Sequence, residues 1–160
     1  MPLMTADRYS FTLPLPPTGK GRARAFRVGA GIRMRTPEKT RSFEGAIALA
    51  AAAAGVPLID EGPVRLTVRA VYGRTKDLAK VYKTGEPKHP IGRLWNARST
   101  PDLDNVVKAV ADGLSSCWRD DRQVAELRAV KVYAGLGRPP CVEVEIERIA
   151  GLVCRPDVGG

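Results

Sequence analysis

Between Tyr9 and Leu15 apolar and polar positions alternate, and the pattern stops at Pro16-Pro17. Period two places one set of side chains on each side of a pleated chain, so this segment is expected to open the fold as a strand. The same period returns from Val64 to Tyr72, with Val64, Leu66, Val68 and Ala70 opposed to Arg65, Thr67 and Arg69. It returns again from Cys141 to Ile149, where Val142, Val144 and Ile146 alternate with Glu143, Glu145 and Glu147. Val124, Leu127, Val130, Val132 and Tyr133 mark a further strand.

Two stretches carry a helical period instead. Thr36-Pro37 is a helix start, with the hydroxyl as N-cap and proline at the first helical position; Phe43, Ile47, Ala50 and Ala51 then give a core stripe before Gly55 ends the helix. Leu103, Val106, Val107, Val110 and Leu114 follow the i, i+3, i+4, i+7, i+11 spacing of a second helix with one buried face. The expectation is a mixed α/β domain of the α+β type, a small mixed β-sheet packed by two main helices. Residues 1–160 form a single domain in this reading, with a core from about residue 8 to about residue 150 and frayed ends, including the tail from Gly151.

The connecting segments are basic. Thr18 to Arg35 is Gly-rich, carries Lys20, Arg22, Arg24, Arg27, Arg33 and Arg35, and is expected to be a hairpin or mobile loop. Gly73 to Thr100 lacks periodicity and carries Lys76, Lys80, Lys83, Lys88, Arg93 and Arg98. With 26 Lys and Arg against 17 Asp and Glu, the chain attracts phosphates, and these two segments are where a nucleic-acid backbone would be held. Phe26 and Trp95 lie inside them as candidates for base stacking or as packing anchors. His89, the one histidine, is far from the acids in sequence and reads as a loop residue.

Against that field, Asp102, Asp104, Asp112, Asp120 and Asp121 stand within about twenty residues of one another, with Lys108 among them. Asp104, Lys108 and Asp112 are spaced by four and share one row on the polar side of the second helix. Asp102 precedes the helix; in an extended chain it points to the same side as Asp104. The pair Asp120-Asp121 leads into the strand from Val124, and a helix followed by a returning strand is expected to bring this second pair back beside the first. Each residue alone has an ordinary account: Asp102 as an N-cap, Asp104 with Lys108 as an i, i+4 pair, Asp120-Asp121 as a turn. Together, several carboxylates at close range raise each other's pKa unless a hard cation bridges them. Mg²⁺, with Mn²⁺ as a substitute, suits all-oxygen ligands, and the expected reaction is metal-assisted phosphodiester hydrolysis, with Lys108 neutralising developing charge.

Composition agrees with a small enzyme. There is no apolar run long enough to span a membrane, the first residues lack the blocks of a secretory signal, and Cys117, Cys141 and Cys154 suggest neither a disulfide framework nor a zinc site. A reducing cytoplasm is the expected location.

The segment Pro101-Asp102-Leu103-Asp104-Asn105, then Lys108, Asp112-Gly113-Leu114 and Trp118-Arg119-Asp120-Asp121-Arg122-Gln123-Val124, resembles the RusA family of Holliday junction resolvases of bacteria and their phages. Pro16-Pro17, Lys20 to Arg24 and Thr36 to Glu44 are similar to that family's early basic loop and first helix. Ala23 stands where phage members often have proline, and the connection from Asp112 to Asp120 is short. The resemblance implies a RusA-like endonuclease fold, Asp102, Asp104 and Asp121 as metal-binding acids with Asp120 and Asp112 as neighbours, and Lys108 as the catalytic lysine. It also implies a homodimer that nicks branched DNA symmetrically; within the two basic segments, Lys20, Arg22, Arg24, Arg27, Lys76 and Lys80 are the candidate DNA contacts. A broader flap or fork nuclease and a non-catalytic DNA-binding protein are the competing expectations.

Overall fold

The computed structural model describes residues 7–86, 88 and 100–149. Along the chain the elements are β1 (Arg8–Leu13), β2 (Arg24–Val28), β3 (Gly31–Arg35), α1 (Glu38–Ala53), β4 (Val64–Tyr72), α2 (Leu103–Gly113), β5 (Val124–Tyr133) and β6 (Cys141–Arg148). His89, Arg93, Trp95, Arg98 and the tail from Gly151 lie outside the described residues.

Four strands form one sheet in the order β1-β6-β4-β5. The first three neighbours pair antiparallel, whereas β4 and β5 run parallel, with Val64 opposite Val124 and Tyr72 opposite Tyr133. Parallel strands need a crossover, and α2 supplies it. The mixed sheet and two helices form the α+β arrangement expected from the periodicities.

Both helices cover one face. Alternation sends Leu66, Val68, Val142, Val144 and Ile146 into a dry layer with Ile47 and Phe43 of α1 and Val106 and Val110 of α2, all of them at most 3% exposed. At about 25 cal/mol per Å² of apolar surface removed from water, this burial is the main force holding helices to sheet. The opposite face carries a small apolar cluster of Val71, Val132 and Ala134 at one end and cross-strand ion pairs at the other, where the Arg65 guanidinium donates to Glu126 and Glu147, both at 2.7 Å. Among the described residues no helix is long and apolar enough to cross a membrane.

The helices approach each other closely at Gly113. A Cβ there would lie 2.8 Å from the Glu44 carbonyl oxygen and from the Ile47 side chain, so only glycine fits where α1 crosses the end of α2. The basic segment before α1 resolves into a hairpin, β2 and β3 joined by a two-residue turn in which Gly29 takes φ 60°. Every residue of this ribbon is exposed.

Two boundaries differ from the sequence expectation. Thr36 is not the N-cap of α1: Pro37 is, with ψ 141°, and its carbonyl accepts from the Thr40 and Arg41 amides. The fixed proline φ suits either position, and the extended ψ decides for the cap. β1 ends at Leu13, two residues early, because the Leu15 amide turns back to the Leu13 carbonyl at 2.8 Å.

Candidate active site

The amphipathic stripe of α2 fixes which side chains face water. Val106, Ala109, Val110 and Gly113 are buried, leaving Asp104, Lys108 and Asp112 exposed on the polar side, as their spacing requires. Asp102 is the N-cap residue, extended at ψ 151°, but its carboxylate accepts no capping hydrogen bond and remains exposed. A carboxylate at this end of a helix is favoured by the positive end of the macrodipole.

The start of α2 is held from three sides. The Tyr72 hydroxyl, at the end of β4, donates to the Pro101 carbonyl at 2.8 Å. The Lys20 amide donates to the Asn105 carbonyl at 2.9 Å. Gly19 packs so closely that a Cβ would come within 2.6 Å of the Pro101 ring, and a Cβ on Gly21 would come within 2.8 Å of Pro37. These contacts enclose a cleft of about 580 Å³ lined by Pro16, Lys20, Thr40, Tyr72, Pro101 and Asn105. Burial, and then the charge of Asp102, push the Tyr72 phenol up to about 12, so it remains a neutral donor throughout the working range.

Lys108 Nζ lies 3.1 Å from Asp104 Oδ2, one helical turn away. The hydrogen bond from Lys108 holds the Asp104 carboxyl below the ordinary carboxylate range. One turn further on, Asp112 is paired with the ammonium of Lys20, and that hydrogen bond raises the lysine's pKa. Lys20 thus faces α2. Beside it, burial, and then the charge of Asp112, raise the Glu44 carboxyl.

The second acidic pair does not return to the first. Asp120 and Asp121 precede Val124, which pairs with Val64 at the start of β4, whereas Asp102 lies beside Tyr72 at its end. Eight residue steps along β4 cover roughly 26 Å and α2 itself spans roughly 16 Å, so the two pairs stand at opposite ends of the sheet. The expected convergence fails for a topological reason: after a crossover helix, it is the end of the next strand that comes back beside the helix start.

At that far end the acids are engaged locally. The Trp118 indole N–H donates to Asp121 Oδ1 at 3.0 Å. Asp120 caps the turn after it, accepting from the Arg122 amide at 2.8 Å and from the Arg122 guanidinium at 2.6 Å, which lowers its carboxyl to about 2. The Gln123 side-chain oxygen accepts from the Asp120 amide in return, closing a capping box, while its NH₂ reaches the carbonyls of Ile59 and Gly62. Among the described residues no three Asp, Glu, His or Cys side chains converge so as to hold a metal ion. The all-oxygen donors Asp102 and Asp104 fit a hard cation with open positions; a triad completed by Asp121 does not fit within one chain.

Of the residues read as DNA contacts, Arg22, Arg24, Arg27 and Lys76 are exposed, and Lys80 pairs with Asp77 at 2.7 Å. Phe26 is 43% exposed on the ribbon, so it anchors no core. Tyr72, which carries the start of α2, was not singled out by the sequence pattern; the one signal was an aromatic closing a buried strand before Gly73.

Two comparisons bear on this arrangement. The chain is similar to YqaN, an uncharacterized protein of Bacillus subtilis (strain 168), with 31% identity over 145 residues that cover 90% of this chain and 99% of that protein. The family described as Endodeoxyribonuclease RusA matches residues 14–147, which take in the basic ribbon, both helices and all the acids discussed above. With the match spanning most of the sequence, the chain belongs to the RusA endodeoxyribonuclease family.

Proposed function

We infer that this protein is a divalent-metal-dependent endodeoxyribonuclease that resolves Holliday junctions by paired symmetric nicks, acting as a homodimer of single-domain protomers. The observation that carries the reading is the start of α2. There Asp102 and Asp104 face solvent beside a rigid cleft, with the Lys108 ammonium one turn from Asp104, in a chain of the RusA family.

Asp102 and Asp104 are the residues that would hold the cation, Mg²⁺ or Mn²⁺; Asp121, at the far end of the sheet in the same chain, would join them only from the second protomer of the homodimer. When bound, it supplies activation of water and stabilisation of the departing 3′ oxygen. The remaining chemistry belongs to the chain. Lys108 brings a positive charge to the polar face of α2, where it can meet charge developing on the scissile phosphate. Tyr72 and the Gly19-Lys20 segment fix the helix start, so the two carboxylates need little reorganisation when a phosphate arrives. The β2–β3 ribbon carries Arg24, Arg27, Arg33 and Arg35 without an acidic residue, which suits backbone contacts that hold DNA through charge and shape. Asp120, locked by Arg122, serves the turn.

Incubation with a synthetic mobile four-way junction, with and without Mg²⁺, tests the reading on a denaturing gel. Paired nicks at symmetric positions are expected only with the metal. Cleavage confined to flaps or forks would replace the resolvase reading with that of a broader branched-DNA nuclease.

A further inference from the structure

The β2–β3 ribbon has two faces of different chemistry. Residues opposite each other in an antiparallel pair share a face, so Arg24, Phe26 and Val28 lie with Arg35, Arg33 and Gly31. The reverse face carries Ala25, Arg27, Ile32 and Met34. Phe26 thus stands directly across from Arg33, with Arg24 and Arg35 on the same face one step nearer the root of the ribbon.

Two strands without a third layer have nothing to bury these side chains against, and Phe26, Val28, Ile32 and Met34 are all exposed. The charges are open as well. On the main sheet Arg8, Arg65, Arg69 and Arg128 each pair with a glutamate, whereas Arg24, Arg27, Arg33 and Arg35 have no acidic partner among the described residues. Uncompensated guanidiniums around an exposed ring fit a polyanion that also offers aromatic faces, and a nucleic acid offers both.

The ribbon springs from the cleft beside α2. Just before β2, the Lys20 amide donates to the Asn105 carbonyl and the Gly21 amide donates to Thr40 Oγ1 at 3.0 Å; just after β3, Pro37 packs against Gly21. Both ends of the ribbon are therefore held at the start of α2, and Phe26, two residues beyond Arg24, stands roughly 7 Å along it. A stacking residue here discriminates where phosphate contacts do not. Every duplex offers phosphates, but its bases are covered on both faces by their neighbours, and a base with an open face is found where the stack is interrupted.

We propose that Phe26 stacks on a base left open at the branch point of the DNA, with Arg24, Arg33 and Arg35 on the flanking phosphates, and that this ring is a determinant of selectivity for branched over continuous DNA. The proposal rests on the nuclease reading above and names the residue by which its substrate is told from plain duplex.

Binding by the full chain tests it, measured with a chelator present so that the DNA stays whole, on a fixed four-way junction and on a duplex of the same sequence. Phe26→Ala is expected to weaken junction binding by about five-fold to 150-fold, the range for one stacked base, with little change on the duplex. Phe26→Tyr keeps an aromatic face and should bind the junction as the wild type does; Phe26→Leu keeps apolar bulk alone and should lose as much as Phe26→Ala. Arg33→Ala should instead weaken both DNAs alike and reduce the slope of log affinity against log salt by about 1. With 2-aminopurine at the branch point, the fluorescence change that accompanies wild-type binding should be absent with saturating Phe26→Ala. Phe26 belongs to no buried cluster, so these variants should match the wild type by circular dichroism.

Equal losses on junction and duplex, or a Phe26→Leu chain that binds the junction as tightly as the wild type, would overturn the proposal. An altered sedimentation coefficient for Phe26→Ala would do the same, by placing the ring in a contact between copies of the chain. Wild-type selectivity in Phe26→Ala would defeat this proposal alone, whereas a wild-type chain that binds neither DNA would defeat the nuclease reading with it.

Discussion

The Tyr72 hydroxyl donates to the Pro101 carbonyl at 2.8 Å, and so the last residue of the central strand holds the peptide next to the acid that opens α2. The bond ties core to site. Tyr72→Phe leaves the ring in place and the carbonyl without its donor, which should cost about 1–2 kcal/mol. A lowered Tm is expected, together with a drop in cleavage larger than the drop in junction affinity; unchanged values would show that the bond positions nothing.

The same residue gives a pH signature. Its phenol is raised from 10.0 to about 12, mainly by burial, so the folded state favours the protonated form. The stabilisation is complete below 10.0 and is lost as pH rises toward about 12. Denaturation midpoints measured across that window should fall more steeply in the wild type than in Tyr72→Phe.

For Lys108, replacement by Met keeps the aliphatic stem and removes the charge. The Asp104 carboxyl, held low by the lysine's hydrogen bond, should then titrate at higher pH, as carbon-detected NMR can read directly. Single-turnover cleavage should slow by about ten-fold to a thousand-fold, the range for loss of one electrostatic stabiliser, with little change in junction binding. A loss confined to binding would make Lys108 a phosphate anchor.

Asp120 and Asp121 are adjacent but should behave differently. Asp120→Ala removes the capping carboxylate of the turn and is expected to lower the Tm modestly while leaving Mn²⁺ affinity alone. If it abolishes metal binding in a folded protein, the ligand has been assigned to the wrong member of the pair.

How far the sequence reached follows from the range of each signal. The α2 stripe from Leu103 to Leu114 and the alternation of Val64 to Tyr72 are local, and both elements formed where their periods put them. The cap of α1 was legible only to within one residue, because Pro37 satisfies the local rules at either position and its ψ is set by the surrounding chain. The acids were legible as residues and illegible as a site. Nothing local to Asp121 says that β5 runs parallel to β4, and that one pairing, Val64 opposite Val124, decides which end of the sheet it occupies. Tyr72 escaped notice for a similar reason, since its partner Pro101 is 29 residues away in sequence.

The most direct measurement is cleavage of a four-way junction labelled on opposing strands, by wild type and by Asp102→Asn, over a Mg²⁺ titration. The account expects symmetric nicks by the wild type that rise with Mg²⁺ and vanish with chelation, and an Asp102→Asn protein that binds the junction at least as tightly yet leaves it uncut. Metal-independent cleavage, or wild-type rates in Asp102→Asn, would contradict it.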